Sequence, residues 1–220
     1  MNFFSHAAVA SWTAPPAGAR NGGVEPGVAL GAMLPDFATM CSGRIEAARE
    51  ASVTRGIALH HATDAVFHQL PVVTGLMREL DGQLARGGCA LGPRRAVAHV
   101  GVELLLDSVL VGEPAYRAAY LAGLAHDAEL TWRTPDAAPR FASLIERLRG
   151  YGVPDDLQRP ETIPARLHRI LAHRPLLAPS AHDMDVIRGA VIGFAPRVAV
   201  AAEPILRGMR AGLPGLTEVR

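Results

Sequence analysis

Apolar residues recur three and four places apart through most of this chain, the period of a helix with one buried face. Proline and glycine interrupt that period at intervals and divide the chain into about eight helical segments. An opening helix spans about residues 2–11 and ends before "TAPPAGARNGGVEPG", a Pro/Gly-rich loop. A short helix near 27–34 leads to Pro35-Asp36, and a long helical segment from about 44 to 69 stops at Pro71. Further helices are predicted over 72–86, 93–111, 114–129, 137–150 and 160–173. The last, 182 to about 211, contains Pro196 and Pro204 and is expected to be kinked or split.

Composition strengthens the helical reading. The chain is 49% hydrophobic and 20% charged, an ordinary globular balance, while aromatics make up only 5%. With β-branched residues also sparse, the expected fold is all-α. No composition shift, repeat or linker divides the chain, so residues 1–220 are read as one single-domain helical bundle of about eight helices.

The chain has no lysine, which removes the lysine-dependent chemistry of phosphate-binding P-loops. Net charge is +1 with both signs interspersed, so no nucleic-acid groove is expected. Cys41 and Cys89 make no CxxC pair and are expected to be reduced thiols in a cytoplasmic protein. The start, "MNFFSHAAVASW", lacks a basic n-region, and no uninterrupted apolar run reaches bilayer length. A soluble, unprocessed protein without a membrane partner is therefore expected.

Candidate chemistry concentrates in "GIALHHATDAVFHQLPVV", residues 56–73. His60, Asp64 and His68 stand at i, i+4 and i+8, which places them in one row on a helix. His99, Glu103 and Asp107 make a second such row. Facing helices that carry inward carboxylates and imidazoles can gather around a metal ion, whereas either row alone is equally a solvated or hydrogen-bonded helix face. Asp107 follows "VELLL" and precedes "SVLV", a context in which an unpaired carboxylate is costly to bury, so it needs a partner.

Five blocks, "MNFFSHAAVA", "LGAMLPDFATM", "GIALHHATDAVFHQLPVV", "RRAVAHVGVELLLDSVL" and "AHDMDVIRGAVIGFAPR", resemble in order and approximate spacing the blocks of the acyl carrier protein phosphodiesterase family. That family looks like a divergent helical branch of the HD-type metal-dependent phosphohydrolases. The resemblance covers much of residues 1–111 and the C-terminal helix, and it is only general over 112–180.

It implies an HD-phosphohydrolase-like bundle that hydrolyses the phosphodiester joining 4′-phosphopantetheine to a serine of acyl carrier protein or a related carrier domain. Mn²⁺ is the implied ion, with Mg²⁺ the alternative. His6, Asp36, His60, Asp64 and Asp107 match the family's motif positions and become metal-site candidates, joined by Glu103, which stands for an aspartate. Such an ion offsets charge at phosphorus and lowers the pKa of bound water. His60 and Asp64 are the catalytic core of this expectation. His61 or His68 is the histidine available to protonate the leaving serine oxygen or to hold a phosphate oxygen.

The chain also departs from the pattern. Ser108 follows Asp107 where the family has histidine, His68 replaces a carboxylate, and His61 replaces an arginine. His68 and His99 are available to supply nitrogen instead. These departures leave two alternatives: a related phosphohydrolase acting on a nucleotide or other small phosphate ester, and a homologue that binds carrier protein or ligand without hydrolysis.

Two literal His-Asp pairs lie outside the matched positions. His126-Asp127 reads as a polar helix face, and at His182-Asp183 either Ser180 or Asp183 is expected to cap the last helix. Arg44, Arg49, Arg55, Arg94 and Arg95 flank the two rows. Of these, Arg55, Arg94 and Arg95 are the candidates to receive phosphate or an acidic carrier surface, against the alternative of ordinary solvated helix faces.

Overall fold

Phe4, Ala7, Ala8, Val9 and Ala10 are almost wholly buried along a helix of eight residues, Phe3–Ala10, too short to persist alone in water and so held by its neighbours. The computed structural model describes residues 1–13 and 24–213. Among these it contains nine α-helices: α1 (Phe3–Ala10), α2 (Pro26–Met40), α3 (Ala51–Phe67), α4 (Pro71–Arg86), α5 (Leu91–Leu110), α6 (Pro114–Ala125), α7 (Ala137–Tyr151), α8 (Ile163–Leu171) and α9 (Ala181–Gly212). Two short strands, β1 (Ile45–Ala48) and β2 (Leu130–Trp132), pair antiparallel. The fold is mostly helical, as the period of the sequence predicts. Most of the Pro/Gly-rich loop lies outside the described residues.

The chain forms two compact units. The first comprises Met1–Val66, Glu113–Pro154 and Arg210–Arg220. Within it α1 and α6 pack on α2, around Phe4, Phe37 and Tyr120. α3 approaches α2 through two glycines. A Cβ on Gly31 would stand 2.2 Å from the Val53 carbonyl oxygen, and one on Gly56 would stand 2.3 Å from that of Val28. No residue with a side chain permits so close a crossing at either position.

The second unit comprises Phe67–Gly112 and Asp155–Met209. Val73, Leu76, Leu80 and Leu84 form the buried stripe of α4, at the three- and four-residue spacing of an amphipathic helix. Gly101 of α5 faces both Leu80 and Leu167, so α5 lies against α4 and α8. In α9 the stripe runs through Ile187, Val191, Phe194, Val198, Ala201, Ile205 and Met209.

Two expectations are corrected and a third is narrowed. α2 does not end at Pro35 but continues to Met40. The proline forfeits one backbone hydrogen bond, and burial of Leu34, Phe37 and Ala38 around it offsets a cost of about 3 kcal/mol. The segment from 44 is not helical at its start, because Ile45–Ala48 pairs with β2. α9 is not split, since it continues through Pro196 and Pro204. An 18-residue window of α9 has mean hydropathy 1.4, long and apolar enough by composition alone to cross a bilayer, with 33% of the window buried. Arg197 and Glu203 within the helix hide that window from a search for uninterrupted apolar runs.

Candidate metal centre

In the first unit α3 presents His60 and Asp64 one turn apart, and α1 brings His6 against them. The His6 and His60 rings stack at 3.9 Å between centroids, 28° from parallel. Both turn Nε2 toward the Asp64 carboxylate, at 3.4 Å for His6 and 3.6 Å for His60. The three donor groups lie within 4.8 Å of one another, the spacing of side chains able to share one ion.

Nδ1 of His60 lies 2.9 Å from the carbonyl oxygen of Ala32 on α2. A carbonyl only accepts, so Nδ1 carries the proton and Nε2 keeps its lone pair toward Asp64. Metal-bound histidines characteristically use their second ring nitrogen in this way. Burial, reinforced by the neighbouring His6, pushes the His60 pKa down to about 4, so the ring is neutral at pH 7 as a ligand must be.

Burial pushes the Asp64 carboxyl up, but hydrogen bonding from His6 and the positive Met1 amino group together outweigh it and hold Asp64 well below the usual carboxylate range. That amino group lies 2.6 Å from Oδ1. His6 is almost fully buried, with Nε2 also 3.2 Å from the Met1 carbonyl oxygen. Two imidazoles, that of His60 neutral, and an ionised carboxylate suit Mn²⁺ and its neighbours better than Mg²⁺, which prefers oxygen ligands.

Asp36 is half-buried on α2, one turn beyond Ala32. His61 is exposed, its ring edge-on to His60 with centroids 5.3 Å apart. It lines a groove of about 680 Å³ together with Pro35, Thr39, Arg44, Ile45 and Ile57. Arg55 is exposed and paired with Glu25 at 2.6 Å.

The second unit has its own group of two histidines and one carboxylate: His68, His99 and Glu103. Nε2 of His99 lies 3.1 Å from Glu103 Oε1, and Nε2 of His68 lies 3.7 Å from the same oxygen. The two rings stack at 4.7 Å and 19°. Burial pushes the Glu103 carboxyl up, but the hydrogen bond from His99 leads the opposing effects, and the net shift is downward. Asp107 is fully buried one turn further along α5. Ser108 donates its hydroxyl to the Leu105 carbonyl at 2.7 Å, the local bond of a helical serine. Arg94 pairs with Asp81 at 2.8 Å, and Arg95 is exposed.

The literal His-Asp pairs have structural roles, and His126-Asp127 lies beyond the end of α6 rather than on a helix face. His126 Nε2 lies 2.9 Å from Glu50, and Asp127 accepts from Arg149 at 2.7 Å. Asp183 and Ser180 cap α9 reciprocally: Asp183 accepts from the Ser180 N–H at 2.9 Å, and the Ser180 hydroxyl oxygen accepts from the Asp183 N–H at 3.1 Å.

The rows in the sequence contain His60, Asp64, His68, His99 and Glu103. The Ala32 carbonyl carries no sequence signal, since a backbone acceptor becomes specific only through the crossing of α2 and α3. The Met1 amino group on Asp64 likewise carries no motif signal. Comparisons of the chain with family models, with curated proteins and with solved structures returned no match.

Proposed function

We propose that this chain is a metal-dependent phosphodiesterase acting on the phosphodiester between 4′-phosphopantetheine and the serine of acyl carrier protein or a related carrier domain. The observation that carries the metal is His60: neutral, anchored at Nδ1 by Ala32, with Nε2 directed at an ionised Asp64. The substrate class rests on the resemblance of the sequence blocks around His6, Asp36, His60 and Asp64.

His6, His60 and Asp64 hold the ion in this reading, with Mn²⁺ the best match to the donor set and Asp36 a further acidic group on α2. When bound, a divalent ion offsets the charge of the phosphodiester and lowers the pKa of its water. The chain's own residues do the rest. Asp64 supplies fixed negative charge, and the Ala32 carbonyl keeps His60 in one tautomer and orientation. His61, exposed beside His60, donates a proton to the leaving serine oxygen or holds a phosphate oxygen.

Incubation of the purified protein and Mn²⁺ with holo-carrier protein is expected to lower the carrier's mass to that of the apo form, with Asp64→Ala abolishing the change. Turnover that survives Asp64→Ala would overturn the site. A second reading, carrier binding without hydrolysis, is favoured by Ser108, whose hydroxyl is engaged within its own helix where the resembling blocks have histidine. It predicts a carrier complex with no change in mass.

A further inference from the structure

His68, His99 and Glu103 meet in the second unit with a geometry that a simple histidine–carboxylate hydrogen bond does not require. One imidazole at 3.1 Å satisfies Glu103 Oε1, yet a second ring lies nearly parallel to the first with its own Nε2 3.7 Å from the same oxygen. An ion bound at about 2.0–2.2 Å from each of three such ligands sets them about 3.0–3.6 Å apart, close to the 3.1 and 3.7 Å separations from Glu103 in a group whose donor atoms all lie within 4.8 Å of one another.

We propose that these three residues form a second metal site, for a divalent transition ion of the zinc and iron class. Two imidazoles and one carboxylate are the ligand set of several catalytic zinc sites and of mononuclear iron sites, and they are a poor set for Mg²⁺.

The helices hold the set in place. His99 and Glu103 are one turn apart on α5, and His68 lies between α3 and α4, the helix that packs on α5. The Glu103 side chain is nine-tenths buried, whereas those of His68 and His99 are 33% and 50% exposed. The negative ligand is thus shielded from water while the imidazoles leave an ion a route from solvent. The site stands whether or not the first unit hydrolyses a phosphodiester.

The test uses full-length, metal-free Asp64→Asn protein, so that the first unit's carboxylate ligand is removed. Titration with Co²⁺ is expected to give one bound equivalent with a visible absorption band of nitrogen and oxygen ligation, displaced by Zn²⁺. Adding His99→Ala, or separately His68→Ala, is expected to eliminate that equivalent while circular dichroism shows an unchanged helical fold. Both histidines are partly exposed, so neither change empties the core. Absence of bound Co²⁺ in Asp64→Asn protein, or binding indifferent to both histidine changes, would overturn the proposal. Wild-type protein that loads this site yet leaves holo-carrier protein intact would count against the hydrolytic reading alone.

Discussion

His60 on α3 donates its Nδ1 proton to the carbonyl of Ala32 on α2 across 2.9 Å, so a backbone oxygen of one helix sets which nitrogen of the other faces Asp64. Removing the imidazole takes away both the anchor and the donor. His60→Ala is expected to lower Mn²⁺ affinity by at least about 10–100-fold, the range for losing even a supporting partner of a metal ligand. Calorimetric titration of metal-free wild type and variant checks this, and equal affinities would remove His60 from the site.

That anchor depends on how closely α2 and α3 cross. Gly56→Ala places a methyl group 2.3 Å from the Val28 carbonyl oxygen and 2.7 Å from Gly31 Cα, backbone atoms that no side-chain rotation can clear. The helices must separate, at an expected cost of about 1–3 kcal/mol. Gly75→Ala on α4 is the contrasting change. Its Cβ meets nothing within 4 Å, so helix propensity alone should raise stability by about 0.4–1 kcal/mol. Urea unfolding of the two variants should therefore move in opposite directions, and weaker Mn²⁺ binding should accompany only Gly56→Ala.

Burial and the adjacent His6 lower the His60 pKa from 6.5 to about 4, which makes the metal-free protein sensitive to acid. The unfolded chain takes up a proton as pH falls through 6.5, while the folded chain refuses it until about 4. The folded-state pKa is depressed, so the contribution to stability is complete above 6.5 and is lost progressively down to about 4. It amounts to about 3 kcal/mol at about 1.4 kcal/mol per pH unit. Urea midpoints across this range should fall with acid, and the His60 ring protons should hold their neutral NMR shifts down to pH 5. An imidazole titrating near 6.5 would mean that the ring is not buried as described.

Much of this fold was legible because periodicity and breakers agree. α1, α4 and α7 fall where spacing, Pro71 and the glycines place them. β1 was not legible, since "RIEAARE" carries good helix formers and becomes a strand only by pairing with Leu130–Trp132, eighty-odd residues away. Pro35 misled, and Pro196 and Pro204 leave α9 unsplit, for a related reason: the lost backbone bond is a local cost, whereas the burial that offsets it is tertiary. The rows on α3 and α5 exposed His60, Asp64 and Glu103 as candidates. His6 entered only through a resemblance of short blocks, and the Ala32 carbonyl not at all, because its role depends on how closely two glycines allow helices to cross.

The N-terminus of α9 supplies a stability test away from both histidine clusters. Asp183 accepts from the Ala90 N–H at 2.7 Å and the Ser180 N–H at 2.9 Å, and the Ser180 hydroxyl donates to it at 2.7 Å. Ala90 precedes α5, so one carboxylate joins the start of α5 to the start of α9. Asp183→Ala removes the cap and leaves two backbone donors without this acceptor, at an expected cost of about 2–4 kcal/mol. Burial and hydrogen bonding to Asp183 also push the Cys89 thiol up to about 12, which keeps it protonated and inert. Asp183→Ala should therefore lower the thermal midpoint and also speed modification of Cys89 by a thiol reagent. Loss of stability with Cys89 still protected would show that the cap acts on α9 alone, without joining it to the start of α5.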